Sequence, residues 1–192
     1  MKRIKELLTI AMLAVVLVAC TTVGAEPGAD SQAIPSSPTQ GTPSEIELEA
    51  VLEVPATLFS GEAVNLRFTL INNTDTRLYV LKWYTPLEGL GGEIFRVERD
   101  GQAVPYTGIL AMRGDPTPEG YQLLEAGQSA SAEVDLATSF DFSQPGEYTI
   151  EFLSPRISHV ARSEAEMARS VDDLGPVAMP SNQVSVTILE DL

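Results

Sequence analysis

The chain has 192 residues, a net charge of −15, 44% apolar residues, one cysteine and one histidine. Twelve basic against twenty-seven acidic side chains exclude a phosphate-backbone binder, which concentrates Lys and Arg on one face. One Cys excludes an intramolecular disulfide, and one His excludes a zinc site built from two or three imidazoles of this chain.

The first nineteen residues read as a processing signal. Lys2, Arg3 and Lys5 precede an apolar run from Leu7 to Val18, about 12 residues where a membrane span needs roughly 20. The run ends in Leu17-Val18-Ala19-Cys20, which looks like a bacterial lipobox, so Cys20 is the expected lipidation site and the new N-terminus. Each acyl CH₂ contributes about 0.8 kcal/mol of membrane affinity, so several chains, palmitate among them, hold firmly. Removing the signal takes away three bases and only Glu6, which leaves the remainder more negative still. Such a surface repels anionic headgroups: the protein is tethered to the membrane without lying on it. The expected location is extracytoplasmic, and Thr21 after the lipidated cysteine directs it to the outer membrane of a diderm host. Residues 20–44 read as a tether, because Pro27, Pro35, Pro38 and Pro43 alternate with Gly, Ser and Thr. Little there can bury enough surface to offset ordering entropy.

From Glu45 the pattern alternates with period two: Ile46, Leu48, Ala50, Leu52 and Val54 share a face opposite glutamates. After Ser60-Gly61-Glu62 come Val64, Leu66, Phe68 and Leu70, and Asn72-Asn73-Thr74-Asp75 turns the chain before Leu78 to Trp83. Glu93 to Arg99, the Asp100-Gly101 hairpin signal and Gln102 to Tyr106 follow, with Pro105 restricting that segment to an edge or strand end. Tyr121–Glu125, Ala130–Leu136, Glu147–Leu153 and Gln183–Leu189 complete about nine short strands. The expected fold is all-β, an immunoglobulin-like antiparallel sandwich over residues 45–192. One short helix is expected between Ser163 and Asp173, where Ser163 and Glu166 fit a capping box.

The run Leu81-Lys82-Trp83-Tyr84-Thr85-Pro86-Leu87-Glu88-Gly89 is distinctive, and Ile94-Phe95-Arg96-Val97, Val104-Pro105-Tyr106-Thr107-Gly108 and Met112-Arg113-Gly114-Asp115-Pro116 accompany it. Together with Tyr121-Gln122-Leu123 and Gly146-Glu147-Tyr148-Thr149-Ile150, this segment resembles the non-catalytic N-terminal domain that precedes the zinc domain of deuterolysin-type, peptidyl-lysine metalloendopeptidases. The resemblance spans about residues 46–155. Those peptidases need His-Glu-x-x-His on a helix, and His159 alone does not supply it. The expectation is therefore a propeptide-like module that is not an enzyme, free-standing and lipidated. Its implied partner is a metallopeptidase, which it would inhibit or help to fold.

Other chemistry finds little support. His159 reads as a loop histidine, and there is no Gly-x-Ser-x-Gly elbow, no phosphate loop and no ligand set for a metal; no cofactor is expected. Asn72-Asn73-Thr74 and Arg113-Gly114-Asp115 match a glycosylation sequon and an integrin tripeptide by three-residue coincidence. The Trp83–Gly92 loop is the expected partner surface, since aromatic and aliphatic groups on loops make binding hot spots. Tyr84, Pro86, Leu87, Glu88 and Leu90, with Met112 and Arg113, are its candidate residues, while Trp83 is expected to plug the inter-sheet core. A lysine-specific cleft must itself attract a cation, which favours contact beside that cleft over plugging it. The chain is expected to act as a monomer, and the alternative role is a generic adhesive or scaffold lipoprotein.

Overall fold

The computed structural model describes residues 48–153 and 157–191. The signal, Cys20, the tether and the first three residues of the sandwich lie outside them.

Among the described residues there are eleven strands and no α-helix. One sheet pairs β1 (Leu48–Glu53) with β3 (Asn65–Asn72) and β3 with β8 (Ser129–Asp135), all antiparallel. The larger sheet runs β2 (Thr57–Phe59), β11 (Gln183–Leu189), β9 (Gly146–Phe152), β5 (Phe95–Arg99) and β6 (Gln102–Ala103). Only the β2–β11 pair in it is parallel. A small third sheet orders β10 (Val160–Ala161), β4 (Leu78–Leu81) and β7 (Tyr121–Leu124).

The alternation sets the packing. Leu48, Ala50 and Leu52 of β1 and Leu66, Phe68 and Leu70 of β3 point inward. They meet Phe95 and Val97 of β5, Tyr148, Ile150 and Phe152 of β9, and Val186 and Ile188 of β11 in one core. Phe152 bridges the sheets, its ring centroid 5.3 Å from Phe68 and 5.7 Å from Phe95. The fold is thus a β-sandwich, as the alternation predicts. Tyr148 is wholly buried and its hydroxyl donates to the Gln144 carbonyl at 2.8 Å, the tyrosine-corner arrangement of immunoglobulin-like sandwiches.

β4 is buried at all four positions because both its faces are covered. Leu78 and Val80 join the main core, whereas Tyr79 and Leu81 pack with Tyr121 and Ala161 in a second cluster. Asn72 continues the inward face of β3, so its amide is buried and must be satisfied. It donates to the carbonyls of Thr76, Leu124 and Glu125 and accepts from the Thr74 N–H and hydroxyl. That burial is the physical reason the sequon is a coincidence. Asp100 and Gly101 both have positive φ, 49° and 79°, as a type I′ hairpin turn requires.

The helix expected between Ser163 and Asp173 is replaced by two 3₁₀ turns, Glu164–Glu166 and Val171–Asp173. The capping box itself does not form: Ser163 makes no side-chain cap bond, and Glu166 instead accepts from the Arg162 N–H at 3.0 Å and pairs with the Ser163 hydroxyl at 3.1 Å. The helix stops because Met167 turns extended and packs on the second cluster, and the Ala168 N–H is taken by the Tyr121 hydroxyl.

Candidate functional site

The Lys82–Gly92 loop leaves β4 through a turn in which the Thr85 N–H donates to the Lys82 carbonyl at 3.1 Å. Tyr84 holds a positive φ of 58° there, a conformation that costs a non-glycine residue about 1–2 kcal/mol. Buried Thr85 then caps the 3₁₀ turn Pro86–Glu88, accepting from the Leu87 N–H, and Pro86 opens it with its fixed φ. Gly89, at φ 90°, ends it.

This turn aims the Glu88 carboxylate back at its own start, where Oε1 accepts the Tyr84 N–H at 3.0 Å. The same oxygen accepts Nη2 of Arg113, and both side chains are mostly buried, 16% and 20% exposed. The Arg113 guanidinium also lies 5.3 Å from the Trp83 ring and 5.8 Å from the Tyr84 ring. Burial pushes the Glu88 carboxyl above its ordinary range, against the lowering effect of Arg113 and the Tyr84 N–H.

Arg113 belongs to a second segment, Gly108–Gly114, which crosses the loop. The Ala111 N–H donates to the Gly91 carbonyl at 2.8 Å, and the Tyr106 hydroxyl donates to the Ile109 carbonyl at 2.6 Å. Gly108 allows the close start: a Cβ there would lie 2.5 Å from the Ser139 Oγ and the Tyr106 hydroxyl. Alongside runs an open groove of about 470 Å³ lined in part by Leu90, Thr107, Ile109, Val134 and Ser139.

The seven candidate contact residues therefore divide. Met112 is 99% exposed. Tyr84, Leu87 and Leu90 are half-buried against the main core and show only their edges. Pro86 is buried and offers no contact surface, which corrects that expectation: it fixes the turn. Glu88 and Arg113 are turned inward on each other and brace the two segments. Trp83 is half-buried on the second cluster under Arg113, not in the inter-sheet core, because the turn after Leu81 carries it past that core. Sequence reasoning missed Ile109 and Leu110, 71% and 77% exposed. The available signal was an apolar Ile-Leu-Ala-Met run between two glycines, without strand alternation.

His159 lies against Tyr121 of the second cluster. Its Nδ1 is 3.0 Å from the Tyr121 hydroxyl, and its ring stands edge-on to Tyr121. Among the described residues no three His, Cys, Asp or Glu side chains converge as a metal site would need.

No protein-family model matches the chain. An extracellular protease of Aeromonas hydrophila is 36% identical over 119 residues, 59% of this chain and 33% of that protein. A neutral protease 2 homologue, MEP6, of Coccidioides posadasii is 32% identical over 83 residues, 42% of this chain and 23% of its own length. A probable neutral protease 2 homologue of Arthroderma benhamiae is 29% identical over 124 residues, 64% of this chain and 31% of its own length. The chain thus contains a peptidase-related region and spans about a third or less of these curated relatives. Among solved structures, a PapD-like domain of human CEP192 aligns over 86% of this chain and all of its own, at 13% identity and a TM-score of 0.32. A likeness of that grade adds nothing to the sandwich seen directly.

Proposed function

We propose that this chain is a lipid-anchored, extracytoplasmic binding module whose partner is a metallopeptidase, and that it binds this enzyme in trans. The observation that carries the reading is the 36% identity over 119 residues to a protein named extracellular protease. The resemblance of the Leu81–Gly89 run to the non-catalytic domain of deuterolysin-type enzymes supports the same partner. With a single histidine, these 192 residues hold no His-Glu-x-x-His, and what the module offers a peptidase is a complementary surface. Acting through that surface, it would inhibit the enzyme, assist its folding or shield the cell envelope from it. Lipid on Cys20 would hold the module, and whatever it binds, at the membrane, while the acidic body keeps off anionic headgroups and steers basic partners.

The test is complex formation between the detergent-solubilised full chain and a purified deuterolysin-type metallopeptidase, followed by light scattering. A complex with Kd at or below about 10 µM, equivalent to about 7 kcal/mol, is expected. Absence of a complex at about 100 µM moves the chain to the scaffold role.

A further inference from the structure

We propose that the Gly108–Gly114 strap is presented as a ready-made extended strand for the substrate cleft of the partner peptidase, with Leu110 and Met112 as the side chains that enter its pockets. This deepens the preceding reading and rests on its choice of a peptidase as partner.

Exposure is the first argument. Ile109, Leu110 and Met112 are 71%, 77% and 99% exposed, three large apolar side chains within four positions. Single exposed apolar residues are ordinary, but a cluster on one segment marks an interaction site.

Shape is the second. From Leu110 to Gly114 exposure alternates: Leu110, Met112 and Gly114 are exposed while Ala111 and Arg113 are half-buried, and Ile109 before them is exposed out of that register. That is the period of an extended strand. One side of it is occupied, since the Ala111 N–H is bonded to Gly91. The N–H groups of Leu110 and Met112 have no hydrogen-bond partner within the described chain, so an added strand could pair with them. Extended peptides are captured by this kind of main-chain pairing, with alternate side chains setting specificity.

Preorganisation is the third. The strap is tied by Thr107 N–H to the Ser139 carbonyl at 2.8 Å, by Tyr106 to Ile109, and by Arg113 to Glu88. At its far end Asp115 Oδ1 accepts the Val171 N–H at 3.2 Å. A strand already held loses little freedom on binding, which is where flexible peptides lose affinity.

Charge is the fourth: a cleft that attracts cations disfavours the acidic body, which is why contact beside it is the expectation from sequence, but it does not disfavour a segment free of carboxylates. From Val104 to Gly114 there is no Asp or Glu, in a chain with twenty-seven of them. The strap is an apolar tongue on an acidic body, and Leu110 and Met112 suit nonpolar pockets.

The experiment titrates the full chain in detergent against a purified deuterolysin-type metallopeptidase acting on a fluorogenic peptide, and maps the first cut in the chain by mass spectrometry. The comparison is Leu110→Asp/Met112→Asp, whose melting temperature should stay unchanged because both positions are exposed. Inhibition that competes with peptide substrate, and weakens roughly thirtyfold in the variant, supports the strap and the peptidase partner together. Inhibition that is unchanged in the variant, or does not compete with substrate, overturns the strap and leaves the partner standing. Without inhibition, a first cut between Ile109 and Arg113 supports the strap as a cleft-seated strand and rejects the binding-module role. The absence of both inhibition and a first cut there overturns the strap, and complex formation followed by light scattering then decides the partner separately.

Discussion

The guanidinium of Arg113 donates to the carboxylate of Glu88 across 25 residues of chain, and this contact couples the Lys82–Gly92 loop to the strap that crosses it. Arg113 adds its position over Trp83 and Tyr84. One buried arginine therefore holds both halves of the candidate contact face. Pairs of this kind add little net stability, yet removing one partner leaves the other charge buried and uncompensated.

Replacing Arg113 with Met should thus destabilise the protein by about 1–3 kcal/mol at neutral pH. The sign of its pH dependence follows from Glu88, whose folded-state pKa stands above the ordinary 4.5 because burial prevails. The folded protein keeps this proton longer than the unfolded chain, so a stability penalty sets in as pH rises through 4.5 and the folded value. Without Arg113 the penalty grows. Urea melts should show a larger loss for Arg113→Met at pH 7 than at pH 4; an equal loss would contradict the pairing.

Asn72 offers a test of the interior. Its amide faces three carbonyls and its oxygen faces the Thr74 donors. Asn72→Asp would set a carboxylate against those carbonyls and should cost at least about 3 kcal/mol, read by denaturant melting. A loss below about 1 kcal/mol would mean that the amide network is not what holds this corner.

His159 is the single histidine, so one imidazole resonance reports it without assignment. Burial lowers its pKa below 6.5, against the raising influence of Asp173 and Glu166. The unfolded chain takes up this proton first, so stability falls as pH drops from above 6.5 through the folded midpoint. Protonation also makes both ring nitrogens donors, so the Tyr121 hydroxyl, which already accepts from Ala168, can no longer donate to Nδ1. An NMR titration midpoint below 6.5 is expected, and one at or above it would contradict the burial.

Phe152 joins the sheets through Phe68 and packs edge-on against its same-sheet neighbour Phe95. Truncation to Ala should cost about 3–5 kcal/mol, with Leu well below that. Similar losses for the two variants would show that this ring is not packed between the sheets.

Much of the sandwich was legible because strands with one buried face announce themselves. The alternation in Asn65–Asn72 and Gln183–Leu189 and the Asp100-Gly101 turn each match the structure. β2 and β10, of three and two residues, are too short to show a period. The expected helix failed on competition, since Tyr121 takes the Ala168 N–H and the second cluster takes Met167. At the contact face, chain order does not reveal that Glu88 and Arg113 meet, because charge pairing between distant loops has no periodicity. Sequence reasoning sets Pro86 among the contact residues and Trp83 in the inter-sheet core; the turn geometry instead buries Pro86 and leaves Trp83 half-open.

One fractionation measures the anchor and the peptidase-binding surface together. Cells displaying the wild-type chain or its Cys20→Ala variant are incubated with a deuterolysin-type metallopeptidase, and peptidase is quantified in washed membranes and in medium. The expected outcome is peptidase on membranes with the wild type, and peptidase together with released chain in the medium with Cys20→Ala. Membranes of wild-type cells that retain no more peptidase than cells lacking the chain would contradict it, as would retention that Cys20→Ala leaves unchanged.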